Sequence, residues 1–207
     1  MPSRQNWSVM GEQPSHRLNP LRSAPNLLTL IRICLAPFLV AAILEEHFAL
    51  GFGLFLVAGI TDALDGALAR MLNQRSMFGQ YLDPVADKLL LSALFLVLLH
   101  KGLMPVTVTV LVFGRDVGIL LVSALLYAAA GRREFHPSIW GKASTLAQIA
   151  TVTAVLLRQV TPQWYWVTVF YSVALDATMT LTVISGLHYA WSVSRRSGTA
   201  TANGAAR

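Results

Sequence analysis

Four aspartates fall within the 26 residues from Asp62 to Asp87, with Asp62 and Asp65 three apart and Asp83 and Asp87 four apart. On a helix, either step sets both carboxylates on one face. The flanking residues are apolar, and four negative charges in so small a volume repel one another by several kcal/mol at any interior dielectric. Hard divalent cations relieve that repulsion, and Mg²⁺ or Mn²⁺ suits all-oxygen ligation. Two such ions close together clamp a phosphoryl group for in-line displacement. Gly66 leaves room for a ligand one position past Asp65, and Arg70 offers a fork to a phosphate at the membrane edge. A plainer alternative is that the carboxylates pair with Arg70, Arg75 and Lys88, or are protonated, and only fasten helices together.

The elements that must hold these residues follow from composition. Of 207 residues, 55% are apolar and 13% charged, against about a quarter charged in soluble domains. The net charge of +6 would also suit a nucleic-acid binder, but a mean hydropathy of +0.56 does not, so no nucleic acid is expected as partner. A single cysteine, Cys34, excludes an internal disulfide framework and a cysteine-based zinc site, and reads as a small buried apolar residue. Apolar stretches recur over about 26–44, 48–69, 83–99, 104–130, 141–160 and 163–192, each near or above the ~20 residues a helix needs to cross the hydrocarbon. Residues 1–24 form a polar cytoplasmic lead without a secretory signal pattern, and residues 197–207 are expected to be disordered. No internal repeat is present.

Positive residues are retained on the cytoplasmic side of a membrane. With the N-terminus inside, eleven of the sixteen bases fall in cytoplasmic segments, while only Lys101 and Arg158 fall on the opposite side. The expected fold is an all-α membrane protein, a bundle of six transmembrane helices with N- and C-termini cytoplasmic. Arg32, Lys88 and Arg115 then lie within spans and require partners. All six aspartates are intramembrane: the four above, Asp116 and Asp176. The two pairs meet at similar depth near the cytoplasmic face.

The segment TDALDGALARMLNQRSMFGQYLDPVADK resembles the signature of the CDP-alcohol phosphatidyltransferase family, with Asp62, Asp65, Gly66, Ala69, Arg70, Gly79, Asp83 and Asp87 at its fixed positions. The resemblance implies a six-helix membrane domain over residues 25–196. It further implies that Asp62, Asp65, Asp83 and Asp87 ligate metal, two ions of Mg²⁺ or Mn²⁺, and that Asp87 is the general base. Gly66, Arg70, Ser76 and Thr29 would contact the CDP part of the donor, CDP-diacylglycerol. The reaction implied is attack by an alcohol on the phosphorus bearing the lipid, with CMP leaving. No Ser/His or Cys/His pair accompanies the aspartates, which independently suits direct transfer.

PNLLTLIRICLAPFLV, NQRSMFG and LDPVADKLLLS resemble the branch of phosphatidylglycerophosphate synthases and CMP-forming cardiolipin synthases. Arg115 and Lys142 read as an acceptor-phosphate site, the alternative being that Arg115 and Asp116 pair to fix helix packing. Members using glycerol-3-phosphate often carry further bases where this chain has Ser123 and Ser144. Fewer bases favour the singly charged diester of phosphatidylglycerol, with glycerol-3-phosphate the alternative acceptor. Family resemblance also implies a homodimer, and a bacterial inner membrane with the site facing the cytoplasm is the simplest location. The rival class, a six-span channel or transporter, lacks support from any repeat.

Overall fold

The computed structural model describes the backbone of residues 24–72, 77–130 and 139–204, and the side chains of 31–64, 87–122 and 139–192. Among them the chain is all helical: α1 (Ala24–Leu44), α2 (Phe48–Leu72), α3 (Met77–His100), α4 (Val106–Ala130), α5 (Ile139–Val160) and α6 (Tyr165–Gly204). Each coincides with one apolar stretch. Two differences stand out. Helix α3 begins at Met77, so Asp83 and Asp87 lie inside it and not at its start. Helix α6 runs on to Gly204, past Arg196 where composition predicts order to end. Once a helix is nucleated, adding a residue costs little, and the segment contains good helix formers such as Ala200 and Ala202.

Short turns join the helices at the end away from the aspartates. The α1–α2 turn places Glu46 at φ 64°, and the Lys101 Nζ beyond α3 donates to its Oε1 at 2.6 Å and to the Leu44 carbonyl at 3.2 Å. That hydrogen bond, with the lysine charge, holds the Glu46 carboxyl below the usual carboxylate range. Helix α3 ends on Gly102 at φ 69°, whose N–H donates to the Leu99 carbonyl while that of Leu103 reaches back to Leu98. This is a glycine C-terminal cap, followed by Pro105, which cannot continue a helix.

Leu39 and Ile43 of α1, Phe55 of α2, Leu94, Phe95 and Leu98 of α3, Val108 of α4 and Val155 of α5 join in one buried cluster. Helices α5 and α6 pack antiparallel along a polar seam. Ser144 meets Thr182 at 3.3 Å, and Thr151 meets Thr178 at 2.8 Å while donating to the Ala174 carbonyl at 2.9 Å, all buried. Large apolar side chains face outward instead, including Phe38, Leu50, Ile60, Leu89, Leu120 and Leu187. Polar contacts inside and apolar surface outside is the arrangement that hydrocarbon surroundings favour. Among the described residues one helix segment, Tyr165–Ser192, is long and apolar enough to cross a membrane; Ile31–Leu44 and Phe48–Leu64 are shorter apolar helices.

An alanine at position 102 would have to adopt the left-handed backbone, costing about 1–2 kcal/mol. At Gly114, helical and with open space around a built Cβ, alanine should stabilise by about 0.5–1 kcal/mol. Thermal unfolding in detergent should therefore move in opposite directions for Gly102→Ala and Gly114→Ala.

Candidate functional site

The first three helices converge on one guanidinium. Arg32 of α1 is only 2% exposed; its Nη2 donates to Oδ1 of Asp62 on α2 and its Nη1 to Oδ1 of Asp87 on α3. Arg32 Nε is buried without a partner among the described residues. The carboxylates are 47% and 42% exposed, so the clamp is open on the acidic side and closed behind the arginine. A fork of parallel N–H donors imposes a fixed spacing and orientation on the oxygens it binds. Residues 30 and 55 positions from Arg32 in the chain are thus brought to a single point.

Of the sequence-predicted residues, the structure unites Asp62 and Asp87. Asp65 lies on α2 about one turn past Asp62, and Asp83 lies on α3 about one turn before Asp87. The side chains of Asp65, Gly66, Arg70, Asp83 and Thr29, and Ser76 entirely, lie outside the described residues. Within those described, no three potential ligands gather. The donor set nonetheless fits a hard divalent cation. Two carboxylates are already turned to one positive group, and Arg32 engages a single oxygen of each. In the residue pattern Arg32 is only a base in need of a partner; the missed signal is a base in an apolar span with no acid on its own helix.

A second charged cluster joins α3, α4 and α6. Lys88 Nζ donates to Asp116 Oδ2 at 2.8 Å, Arg115 Nη1 to Asp116 Oδ1 at 2.7 Å, and Arg115 Nη2 to Ser185 Oγ at 2.8 Å. One carboxylate thus answers two bases, and Lys88 is turned to Asp116 rather than to the clamp. Arg115 Nε is buried without a partner among the described residues. A Cβ built at Gly141 on α5 would come within 3.1 Å of Arg115 Nη2, so the absence of a side chain there lets α5 approach the guanidinium. Lys142 follows Gly141 and is exposed. The pairing foreseen between Arg115 and Asp116 is present, and it leaves Arg115 at the junction of three helices beside the start of α5. Asp176 is exposed on α6 and belongs to neither cluster.

Residues 22–184 match the model of the CDP-alcohol phosphatidyltransferase family. The human protein named cardiolipin synthase (CMP-forming) is 46% identical over 115 residues, 55% of this chain and 37% of that protein. Its rat counterpart is 48% identical over 50% of this chain and 34% of its own length. This chain thus spans about a third of the length of those two relatives. The CDP-diacylglycerol–glycerol-3-phosphate 3-phosphatidyltransferase of Bacillus subtilis (strain 168) is 35% identical over 182 residues, 80% of this chain and 92% of that protein.

If the two carboxylates share one cation position, removing the guanidinium should destabilise the metal-free protein, and an added cation should compensate. Arg32→Gln is expected to cost about 1.5–3 kcal/mol without metal, the range for hydrogen bonds to charged groups. The gap from the parent protein should narrow as Mg²⁺ is added. Thermal unfolding across a Mg²⁺ titration checks this, and a gap that stays constant would reject the shared cation position.

Proposed function

The chain belongs to the CDP-alcohol phosphatidyltransferase family, and from that premise we propose that it transfers the phosphatidyl group of CDP-diacylglycerol to a glycerol-type acceptor with release of CMP. The acceptor we propose is phosphatidylglycerol, which makes the activity that of a CMP-forming cardiolipin synthase. The observation that supports this most directly is the convergence of Asp62 and Asp87, first and last aspartates of the signature, on Arg32.

In the proposed reaction the acceptor hydroxyl oxygen forms a new bond to the phosphorus bearing the lipid, while the bond from that phosphorus to the CMP oxygen breaks. Asp87 accepts the hydroxyl proton, and Arg32 fixes the orientation of its carboxylate. Mg²⁺ or Mn²⁺, two ions held by Asp62, Asp65, Asp83 and Asp87, supplies charge neutralisation for the pyrophosphate when bound. Gly66, Arg70, Ser76 and Thr29 bind the CDP portion. Arg115 and Lys142 attract the acceptor phosphate, Arg115 being held by Asp116 and Ser185.

Ser144 supports the diester acceptor. It is fully buried against Thr182 between α5 and α6, at a position where glycerophosphate-using members often carry a lysine. The second reading is phosphatidylglycerophosphate synthesis, favoured by the Bacillus subtilis relative, of which this chain covers 92%.

All six helices are proposed to span the membrane with both termini on the cytoplasmic face, consistent with the distribution of bases and the apolar outer surface. The proposed location is a bacterial inner membrane with the aspartates facing the cytoplasm, and the proposed assembly is a homodimer.

Purified protein with CDP-diacylglycerol and Mg²⁺ or Mn²⁺ is expected to release CMP faster with phosphatidylglycerol than with glycerol-3-phosphate. The reverse order would select the second reading, and no CMP with any glycerol, phosphoglycerol, inositol or serine acceptor would sink the enzymatic one. Asp87→Asn is expected to lower turnover by about 10²–10⁴-fold through loss of the base; near-normal turnover would reject that role.

A further inference from the structure

The far end of the bundle holds a second polar site. His100 lies thirteen positions after Asp87 on α3, about 20 Å along a helix. There the α3–α4 turn, the last turns of α5 and Tyr171 of α6 line a half-open cavity of about 370 Å³, within the size range of small-ligand sites. Gly102, Leu103, Arg158, Gln159, Pro162 and Tyr171 line it.

Its electrostatics are one-sided. The Arg158 guanidinium carbon lies 4.7 Å from the centroid of the Tyr171 ring, and no carboxylate among the described residues pairs with it. Lys101, the other base at this end, is taken up by Glu46 and the Leu44 carbonyl. Stacking on an aromatic face fixes the guanidinium plane and leaves its N–H edges available to a planar or tetrahedral anion. Gln159 and Tyr171, whose side chains carry N–H and O–H donors, line the same cavity. Arg158 is the one charged group among the lining residues, and phosphate oxygens suit an arginine fork best.

The depth of the site indicates which phosphate. Arg158 stands two residues before the end of α5, about 3 Å along the axis. Beside it, Trp164, Tyr165 and Trp166 are 48%, 82% and 53% exposed. Exposed indole and phenol rings at the end of an apolar helix mark the headgroup level of a bilayer.

We propose that this cavity binds the phosphodiester headgroup of an anionic phospholipid in the leaflet opposite the aspartates. The site is distinct from the phosphatidyl-transfer centre, and the inference rests only on reading these helices as membrane spans. Arg158 supplies the charge-assisted bonds, Gln159 and Tyr171 supplement them, and the apolar rim accommodates the first acyl carbons.

The test uses the full chain labelled with 5-fluorotryptophan in a nonionic detergent, with the Trp164 and Trp166 fluorine resonances assigned by Trp→Phe variants. Titration with dihexanoyl phosphatidylglycerol is expected to shift both resonances saturably, whereas dihexanoylglycerol, lacking the phosphate, leaves them in place. Arg158→Gln is expected to weaken the apparent affinity about tenfold or more, with Gln159→Leu in the same direction. Equal shifts with inorganic phosphate at equal concentration would replace the lipid by a soluble phosphate and overturn the lipid assignment. No saturable shift, or one that Arg158→Gln leaves unchanged, overturns the site itself. CMP release is measured separately on the same variants. It should persist in both, so loss of this site and loss of the proposed activity are read apart.

Discussion

A charged group removed from water must meet its counter-charge inside the fold, because leaving it unmatched costs several kcal/mol. Arg32, buried at the meeting of three helices, makes that constraint visible. Its guanidinium ties α1 to α2 through Asp62 and to α3 through Asp87. The arrangement is asymmetric: the base is buried while the acids are half open. Desolvation therefore falls mainly on the group that cannot lose its charge, and the carboxylates stay open to their surroundings.

The same constraint organises the rest of the bundle. Between α5 and α6, hydroxyls find one another or a carbonyl at Ser144–Thr182 and Thr151–Thr178. In hydrocarbon such contacts help specify which helix packs on which, since apolar side chains gain little by leaving lipid for a neighbouring helix. At the end remote from the aspartates, tight glycine-capped and lysine-bridged turns hold the helix ends together. Trp164, Tyr165 and Trp166 flank the α5–α6 turn as exposed rings.

Much of this was legible in the residue pattern. Spans of apolar residues gave helix positions to within a few residues at most ends, because a buried or lipid-facing helix is specified chiefly by length and apolarity. The aspartate spacing likewise identified Asp62 and Asp87 as neighbours in space. Partner identity was not legible. Nothing in linear order says that Arg32 answers those two acids, since the pairing depends on how α1 rotates against α2 and α3. The start of α3 at Met77 was hidden for a related reason: NQRSMFGQY is too polar to read as a span, yet its last residues extend the helix that carries Asp83 and Asp87.

Helix α3 is where the two charged clusters become one system. Asp87 and Lys88 are consecutive, and a rotation of about 100° per residue sends their side chains to different neighbours. Asp87 turns to Arg32 on α1, while Lys88 turns to Asp116 on α4. Asp116 in turn holds Arg115, whose other nitrogen reaches Ser185 on α6. Two runs of charge-assisted bonds, one from α2 through α1 to α3 and one from α3 through α4 to α6, therefore meet at adjacent residues of α3. Each link satisfies a base that would otherwise be stranded in the bundle, and together they fix the residue proposed as base relative to the arginine proposed to meet the acceptor phosphate. Rotating α3 to improve one contact would disrupt the other, so the spacing between proton acceptor and phosphate anchor follows from charge matching rather than from loop conformation.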